Sequence, residues 1–302
     1  MSAILRKICP EFIHSIYANT KFWLRFHFAP KGIANELHRS LVGYDINWKS
    51  PQTLNEKINW MKFNYDTSVW TRLADKYLVR QYVMDRIGEQ VLPKDYAVWD
   101  DASKINLENL PEKFVIKTNH GCGTVLPIFN KHDCNVESIR KIAKSWMNLH
   151  FGYETIEPHY LKIKPLIYAE EFLENTSMES SSIIDYKVFC INGKAQCILI
   201  CKDRIIGQHP HLAFYDLDWN LRLDMLASSY HEQCVGIKKP SCLTQLINYA
   251  NNLATGHPQV RIDFYIVGDK IYFGEMTFTS QGGYMDYLSK EYSLELGSMI
   301  KL

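Results

Sequence analysis

The alternation of hydrophobic and polar positions predicts several amphipathic helices along the chain. Apolar side chains recur at the three- and four-residue spacing of such helices in four segments, residues 54–65, 71–87, 139–149 and 243–253. We expect the second helix to end near Gly88 and the last to be opened by Ser241 after Pro240. Shorter apolar runs with a different period lie between these helices.

Those shorter runs predict strands. FVIK after Lys113 leads directly into a glycine-rich turn at 119–124, and further strands are expected at 166–173, 185–191, 195–201, 260–267 and 270–276. Asn192-Gly193 and Gly268-Asp269 each join two of these runs and predict tight hairpins. Because hairpins dominate and no regular strand-helix-strand succession is present, the pattern favours an α+β fold over a Rossmann or barrel fold.

Composition restricts the class of protein. The chain has 302 residues, of which 46% are hydrophobic and 22% charged, which is enough for a substantial core in two or three subdomains. Its 34 lysines and arginines against 33 acidic residues give a net charge of +1. Because the charge is balanced, we expect no nucleic acid as a partner, and any anion binding must be local.

Cysteine usage and the N-terminal pattern indicate the compartment. The eight cysteines form no Cys-x-x-Cys pair, which argues against zinc. Cys190, Cys197 and Cys201 lie in apolar runs, where a free thiol behaves as a small buried hydrophobe and is typical of a reducing cytoplasm. We see no signal peptide and no run of membrane-spanning length, so a cytoplasmic location is expected.

The segment 4–28 mixes basic and aromatic side chains, including Arg6, Trp23 and Phe28. It could rest on the inner face of a membrane or on a partner such as a glycosyltransferase. A helix packed on the main domain is the alternative that the general frequency of such stripes favours.

A lysine and a glycine-rich turn form the first candidate for chemistry. Lys117 ends an apolar strand, and the glycines of the turn would let backbone N–H groups approach phosphate oxygens. The spacing is not that of a P-loop. Taken alone, this pattern favours a plain strand-to-helix turn.

The terminal hairpin carries the second candidate. Arg261 and Asp263 lie on one strand and Glu275 and Thr277 on the next, with residues two apart facing the same side. Pairing about the Gly268-Asp269 turn brings the two carboxylates close together, which would suit Mg²⁺. A solvated face with a cross-strand arginine-carboxylate pair explains the pattern equally well.

Charged residues inside apolar strands form the third candidate. Glu170 and Glu171 lie in LIYAEEFL and Lys187 in DYKVFCI. Buried charge is costly unless it is paired or liganded, so such residues often mark a site. Some of them could instead face solvent.

In this order, the pieces resemble the ATP-grasp superfamily, most closely its TupA-like branch, which is associated with teichuronopeptide and other surface-polysaccharide synthesis. The resemblance covers roughly residues 50–285. It is carried by TLNEKINWMKF, LADKYLVRQYV, KFVIKTNHGCGT, YAEEFL, DYKVFCING and VRIDFYIVGDKIYFGEMTF.

The resemblance implies two α/β lobes, with largely antiparallel sheets, that clasp ATP. We expect an N-terminal helical segment (1–50), a helical region before the ATP-grasp lobes (51–110), a subdomain with the phosphate loop (111–170) and a subdomain with the metal-site hairpin (171–302). The expected cofactors are ATP and Mg²⁺.

The resemblance also implies roles for individual residues. Lys76 and Lys117 would reach ATP phosphates under a mobile loop, and Lys187 and Arg261 would contact the γ-phosphate, which makes Lys117, Lys187 and Arg261 the expected catalytic residues. The loop contacts would come from Asn119, Gly121, Gly123 and Thr124. Glu170, Glu171 and Phe172 would form the adenine hinge, with Glu174 near the ribose. Asp263, Glu275 and Thr277 would hold the metal.

Two features depart from the family pattern. Thr277 stands where many ATP-grasp ligases have Asn, and it is a weaker Mg²⁺ ligand that could act through water. The segment 279–283 lacks the proline often found in related glycine-rich ends, so its substrate contacts are not carried over.

The implied activity is an ADP-forming carboxylate-amine ligase that acts through an acyl phosphate. Its expected substrates are a sugar carboxylate of the uronic-acid type, or a related polysaccharide precursor, and an amine donor. A kinase of the same fold, a glycosyltransferase-associated enzyme and a non-catalytic binding module remain open. His14, His209 and His211 are isolated in the sequence and favour surface or core roles over acid-base chemistry.

Overall fold

The computed structural model describes residues 23–24, 26–204 and 210–302. Most of the segment 4–28 therefore lies outside the described residues, and its expected membrane or partner contact stays untested. The helices discussed below are α1 (Pro30–Val42), α2 (Leu54–Asn64), α3 (Ser68–Ala74), α4 (Val79–Ile87), α5 (Val136–Met147), α6 (Leu243–Ala254) and α7 (Lys290–Ser298).

Two antiparallel sheets form the framework. The first has the strand order β1-β4-β2-β3 and consists of β1 (Asp95–Trp99), β2 (Phe114–Thr118), β3 (Val125–Ile128) and β4 (Ile167–Glu170). The second has the order β7-β6-β5-β8-β9 and consists of β5 (Asp185–Ile191), β6 (Lys194–Lys202), β7 (His211–Tyr215), β8 (Gln259–Val267) and β9 (Lys270–Thr277). The expected α+β class is confirmed.

Each sheet has its own hydrophobic core. In the first, α5 places Ile139 and Ala143 against Phe114 and Ile116 of β2. In the second, α6 covers β5, β6 and β8, and its Leu246 is fully buried. Burying the apolar stripe of one helix on each sheet leaves the opposite faces of the sheets available for a site.

Both predicted hairpins are present. Asn192 and Gly193 join β5 to β6 with φ of 49° and 77°, and Gly268 opens the turn between β8 and β9 with φ of 61°. Positive φ is what a two-residue hairpin demands, and glycine and asparagine supply it at the least steric cost.

The helix expected over 71–87 is interrupted, and that prediction was wrong in its continuity. The chain leaves the helical conformation at Asp75, where φ is −68° and ψ is 109°. Asp75 Oδ1 accepts hydrogen bonds from the backbone N–H groups of Tyr77 and Leu78, at 2.9 and 3.0 Å. The short side chain of Asp75 thus holds the turn that separates the two helices, and the N-cap of α4, Leu78, has no side-chain cap hydrogen bond of its own.

Several other boundaries differ from the predicted ones by one to three residues. The strand expected over 166–173 is limited to Ile167–Glu170, and the helix expected over 139–149 ends at Met147. The cap of α6 is Cys242, one residue later than expected, because the Ser241 hydroxyl donates to Asp269 instead. Within the described part of the chain, every helix is too short or too polar to cross a membrane.

Helix α7 packs closely on the start of α2, and this contact predicts the effect of one substitution. A Cβ at Gly297 would collide with the carbonyl oxygen of Gln52 and approach the carbonyl carbon of Thr53 to 2.8 Å. Replacing glycine by alanine inside a helix normally stabilises by about 1 kcal/mol. Here we expect Gly297→Ala to lower the free energy of unfolding by about 2 kcal/mol, because backbone must move.

Chemical denaturation of the wild type and the variant measures this effect. Ser298→Ala, at an exposed position of the same helix, is the matched control and should change the free energy of unfolding by no more than about 0.5 kcal/mol. A stabilised Gly297→Ala protein would contradict the described packing.

Candidate active site

A cavity of about 490 Å³ opens between the glycine-rich loop and the second sheet. Its walls combine residues from distant parts of the chain. Those named by the sequence prediction are Lys76, Gly121, Lys187, Arg261, Glu275 and Thr277. Those that the prediction did not name as site residues include Cys122, Phe151, Glu157, Tyr160, Leu199, Leu212, Tyr230, Gln281, Asp286 and Tyr287.

Three neighbouring strands place charged residues in one row across the second sheet. Lys187 on β5 pairs in register with Asp263 on β8, which in turn pairs with Glu275 on β9. Strict pairing about the two-residue turn would place Asp263 opposite Gly274. A register shift next to Asp263 makes Glu275 its partner instead, as a β-bulge does. A Cβ at Gly274 would lie 3.0 Å from the carbonyl oxygen of Asp263, so glycine suits this position.

The guanidinium of Arg261 connects the carboxylates of this row. Its Nη2 donates to Asp263 Oδ2 at 2.8 Å, to Glu275 Oε1 at 3.1 Å and to Thr277 Oγ1 at 3.1 Å, while Nε donates to Asp263 Oδ1 at 2.6 Å. Three oxygens from two strands therefore converge on one cationic nitrogen.

The oxygens of Asp263, Glu275 and Thr277, which converge on Arg261, are of the kind that binds Mg²⁺. Mg²⁺ prefers one or two carboxylates and completes its shell with phosphate oxygens and water. The oxygen cluster already holds one positive group, supplied by Arg261. Among the described residues, no group of three or more His, Cys, Asp or Glu side chains could hold a metal by itself. A site with two carboxylates fits a magnesium ion that arrives with a nucleotide.

Local charge keeps Glu275 ionised. Burial alone would raise the pKa of its carboxyl, but Lys76, Arg261 and Lys187 outweigh that effect and hold the pKa well below its ordinary range. Lys76 Nζ lies 3.2 Å from Glu275 Oε2. Burial would lower the pKa of Lys76, and Glu275 raises it above its ordinary value. Carboxylate and cations therefore stabilise each other's charged forms.

A third carboxylate, Asp185, lies behind the row, and the sequence prediction missed it. Its side chain is 2% exposed. Lys187 Nζ lies 3.6 Å from Asp185 Oδ1 and also pairs with Asp263, while Arg204 Nε lies 3.0 Å from Asp185 Oδ2. Burial raises the pKa of Asp185, and Lys187 and Arg204 oppose the rise. Lys187 is thus held by two carboxylates, Asp185 on its own strand and Asp263 on β8.

The break between α3 and α4 delivers Lys76 to the cavity. Asp75 Oδ2 accepts from Asn119 Nδ2 at 2.8 Å, and the backbone N–H of Lys76 donates to Asn119 O at 3.1 Å. The ammonium of Lys76 then donates to Gly121 O at 2.9 Å. The helix break and the glycine-rich loop are therefore joined at both main chain and side chain.

Asn119, a predicted loop contact, is completely buried. Besides Asp75, its side chain binds the carbonyl of Lys164 at 3.0 Å and the N–H of Leu166 at 2.7 Å. Thr124, another predicted contact, shares a hydrogen bond of 2.6 Å with the Thr118 hydroxyl and closes the loop. In this structure both side chains hold the loop itself, and their role toward a nucleotide stays a prediction, as does that of Gly123, whose φ is 76°.

The predicted hinge residues lie at the end of β4 or directly after it, and they do not line this cavity. Lys117 forms an ion pair with Glu170, which also faces Arg80 at 3.8 Å. The N–H of Glu171 donates to Lys94 O at 2.8 Å, and the Phe172 ring contacts Phe129. Glu174 is exposed and pairs with Lys113. Adenine and ribose contacts by these residues stay predictions.

The histidines take no part in this cavity among the described residues. His211 lies on β7, with Nδ1 3.2 Å from Asp203 Oδ2. His14 and His209 lie outside the described residues. Glu157, Asp286 and Tyr160, which do line it, come from segments without regular hydrophobic periodicity, so the sequence offered no signal for them.

Comparison with a family model decides the assignment. Residues 56–301 match the model of the TupA-like ATPgrasp family. The chain belongs to this family. The ATP-grasp fold expected from the sequence is therefore confirmed. No curated protein sequence matches the chain.

Solved structures with similarity to this TupA-like ATP-grasp chain are ligases. D-alanine–D-alanine ligase from Bacillus anthracis complexed with ATP matches at 14% identity and a TM-score of 0.44, covering 76% of this chain and 65% of that one. The enzyme from Helicobacter pylori matches at 13% and 0.43, covering 82% and 67%. The ATP-grasp ligase PsnB, complexed with minimal precursor, Mg and ADP, matches at 12% and 0.40, covering 74% of this chain and 57% of its own length.

The Asp75–Asn119 contact predicts a variant with displaced Lys76. In the wild type, one carboxylate oxygen of Asp75 accepts from the N–H groups of Tyr77 and Leu78, and the other accepts from Asn119 Nδ2. Asp75→Asn replaces one of these oxygens by an amide NH₂ group, which cannot accept, so one of the two contacts is lost. We expect the free energy of unfolding to fall by about 1–3 kcal/mol, as for a buried polar group that loses its partner. Mg-ATP binding should weaken about tenfold, which is 1.4 kcal/mol.

Denaturation and calorimetry measure the two effects. Asp85→Asn, on the exposed face of α4, makes the same chemical change away from the site and should alter neither quantity. An Asp75→Asn protein that binds Mg-ATP as tightly as the wild type would show that Lys76 does not depend on this clamp.

Proposed function

We propose that the chain is an ADP-forming carboxylate-amine ligase that uses Mg-ATP. The observation that carries the proposal is the convergence of Asp263, Glu275 and Thr277 on the guanidinium of Arg261. Arg261, Glu275 and Thr277 line one cavity together with Lys76 and Lys187, and Asp263 lies behind its wall. A nucleotide triphosphate needs compensating positive charge, and a metal needs oxygen ligands, and both are present in this one place. Membership of a TupA-like ATP-grasp family supports the same activity.

The cations act by charge and position. In the proposed reaction a substrate carboxylate oxygen attacks the γ-phosphorus of ATP, the bond to ADP breaks, and an acyl phosphate results. Lys76, Lys187 and Arg261 compensate negative charge on the transferred group. Mg²⁺, held by Asp263 and Glu275, supplies further positive charge to phosphate oxygens when bound. An amine then forms the amide bond and phosphate leaves.

Arg261 has a second role in this scheme. Its guanidinium neutralises the carboxylates of Asp263 and Glu275, and its side chain is only 10% exposed. If Asp263 and Glu275 held a metal, the guanidinium would be released from them and would face the phosphoryl group. Arg261 would then serve both the carboxylates and the phosphoryl group.

The proposed substrates follow from the branch of the family. We propose a sugar carboxylate of the uronic-acid type and an amine, in the synthesis of a surface polysaccharide, with the enzyme acting in the cytoplasm. The association of the TupA-like branch with such polymers supports this assignment. The cavity, of about 490 Å³, falls within the usual range for small-molecule sites.

Calorimetry of Mg-ATP binding tests the proposal directly. We expect the wild type to bind, and Asp263→Asn and Lys117→Ala each to weaken binding tenfold or more, about 1.4 kcal/mol. Lys141→Ala, an exposed lysine on α5, is the matched control and should bind normally. Absence of binding at millimolar Mg-ATP would sink the proposed activity.

A second measurement separates the ligase from a kinase. We expect ADP release only when a carboxylate and an amine are both present, or when hydroxylamine replaces the amine and traps the acyl phosphate as a hydroxamate. A phosphate ester formed from a hydroxyl substrate, with no amine required, would identify a kinase instead.

A further inference from the structure

The cavity also carries negative charge that the phosphate chemistry does not use. Asp286 and Glu157 line the same cavity as Lys76 and Arg261. Within the described part of the chain, no lysine, arginine or histidine lies at ion-pair distance from Asp286, which receives only neutral donors. A carboxylate with neutral partners keeps its charge available for a positive ligand.

Asp286 is held in a fixed orientation. The Tyr230 hydroxyl donates to its Oδ2 at 2.8 Å, and Gln281 Nε2 donates to its Oδ1 at 2.8 Å. Each oxygen retains a free lone pair beside these bonds. Burial, together with the neighbouring Asp286 carboxylate, raises the pKa of Tyr230 to about 12, so this hydroxyl stays a donor at neutral pH.

Glu157 is the second such carboxylate in the cavity and is 4% exposed. The hydroxyls of Thr155 and Thr279 donate to its two oxygens. Thr279 lies in the same segment as Gln281 and Asp286, so one piece of chain, 279–286, is bonded to both carboxylates. That segment is held by α2, because the ammonium of Lys62 donates to Gly282 O.

The remaining walls of this cavity include many apolar side chains. Leu199 and Leu212 come from β6 and β7, and the rings of Phe151, Tyr160 and Tyr287 complete the walls. An ion with an apolar carbon frame suits such a surface better than a polyanion, since aromatic faces attract cations and apolar groups alike.

We infer that this cavity binds the amine substrate as a primary ammonium ion on an apolar carbon frame, with Asp286 as its counter-ion and Glu157 as the acceptor of its proton. The inference rests on the proposed ligase function and gives the second substrate a site. The cavity then takes the phosphates on its cations and the ammonium on its acids.

The ammonium nitrogen loses two protons when the amide forms. An N–H bond of the ammonium breaks, its proton passes to a Glu157 oxygen, and the nitrogen keeps the electron pair. That pair forms the C–N bond with the acyl carbon of the acyl phosphate, the C–O bond breaks, and the departing phosphate takes the second proton. Burial raises the pKa of Glu157, and the positive charge of Lys62 only partly opposes this rise. The raised pKa makes the Glu157 carboxylate a stronger base.

A pair of shape-matched probes tests the ammonium site without turnover. Saturation-transfer NMR with cyclohexylamine, charged at neutral pH, and with uncharged cyclohexanol would be recorded on the full chain with Mg-ADP. We expect Asp286→Asn to reduce transfer to cyclohexylammonium at least fivefold and to leave cyclohexanol unchanged. Asp218→Asn, an exposed aspartate outside the cavity, should behave as the wild type. Equal transfer to cyclohexylammonium from wild type and Asp286→Asn would overturn the ammonium site.

Kinetics test the role of Glu157. With the amine that supports ADP release, Glu157→Gln should lower kcat at least tenfold at nearly constant KM, whereas Asp286→Asn should raise KM at least tenfold. With hydroxylamine, which is uncharged at neutral pH, both variants should stay within threefold of the wild type. An equal loss with both amines would overturn the proton-transfer role.

The two failures can be told apart. A wild-type protein that releases no ADP with any amine removes the proton transfer together with the proposed function. The NMR comparison still decides the ammonium site by itself, because it requires no reaction. Circular dichroism of Glu157→Gln, which keeps an acceptor for the threonine hydroxyls, checks that the fold is intact.

Discussion

The site depends on the hydrogen bonds between one buried guanidinium, that of Arg261, and the acidic side chains of two neighbouring strands. Arg261 binds Asp263, Glu275 and Thr277 on one face of the second sheet. Asp263 is buried, and burying a carboxylate without a partner would cost several kcal/mol, so the row depends on the cations that face it. Lys76 pairs with Glu275 and Lys187 pairs with Asp263, which completes the charge balance of the row.

The balance explains why distant elements have to meet. Lys187 arrives by sheet pairing, but Lys76 arrives from a helical region and needs the break at Asp75 to leave its helix. The buried side chain of Asn119 then ties that break to the glycine-rich loop. The loop, the helix break and the carboxylate row therefore form one unit, of which the loop and the row were recognisable in the sequence and the break was not.

The two hairpins of the second sheet were predictable from short sequence motifs. Asn192-Gly193 and Gly268-Asp269 specify their hairpins through positive φ, and the hairpins fix which residues face one another. The close approach of Asp263 to Glu275 could be foreseen, but the direct pairing could not, because it depends on the irregular register at Gly274. A bulge is set by packing on both faces of the sheet, which local pattern does not contain.

Other parts of the site were hidden for physical reasons. The apolar spacing over 71–87 continues across Asp75, and only the hydrogen bonds of its side chain reveal the break. Asp185, Glu157 and Asp286 are acids whose importance comes from what tertiary packing places beside them. The roles expected for Glu171, Phe172 and Glu174 remain predictions, since these side chains do not line the cavity.

A crystal structure of the full chain with Mg²⁺ and a non-hydrolysable ATP analogue would show whether the carboxylate row holds the metal of Mg-ATP. We expect a metal ion bound by Asp263 and Glu275, with Arg261 Nη2 withdrawn from both carboxylates and turned toward the terminal phosphate. A nucleotide bound elsewhere, or one bound here while Arg261 still bridges the two carboxylates without a metal, would contradict this expectation.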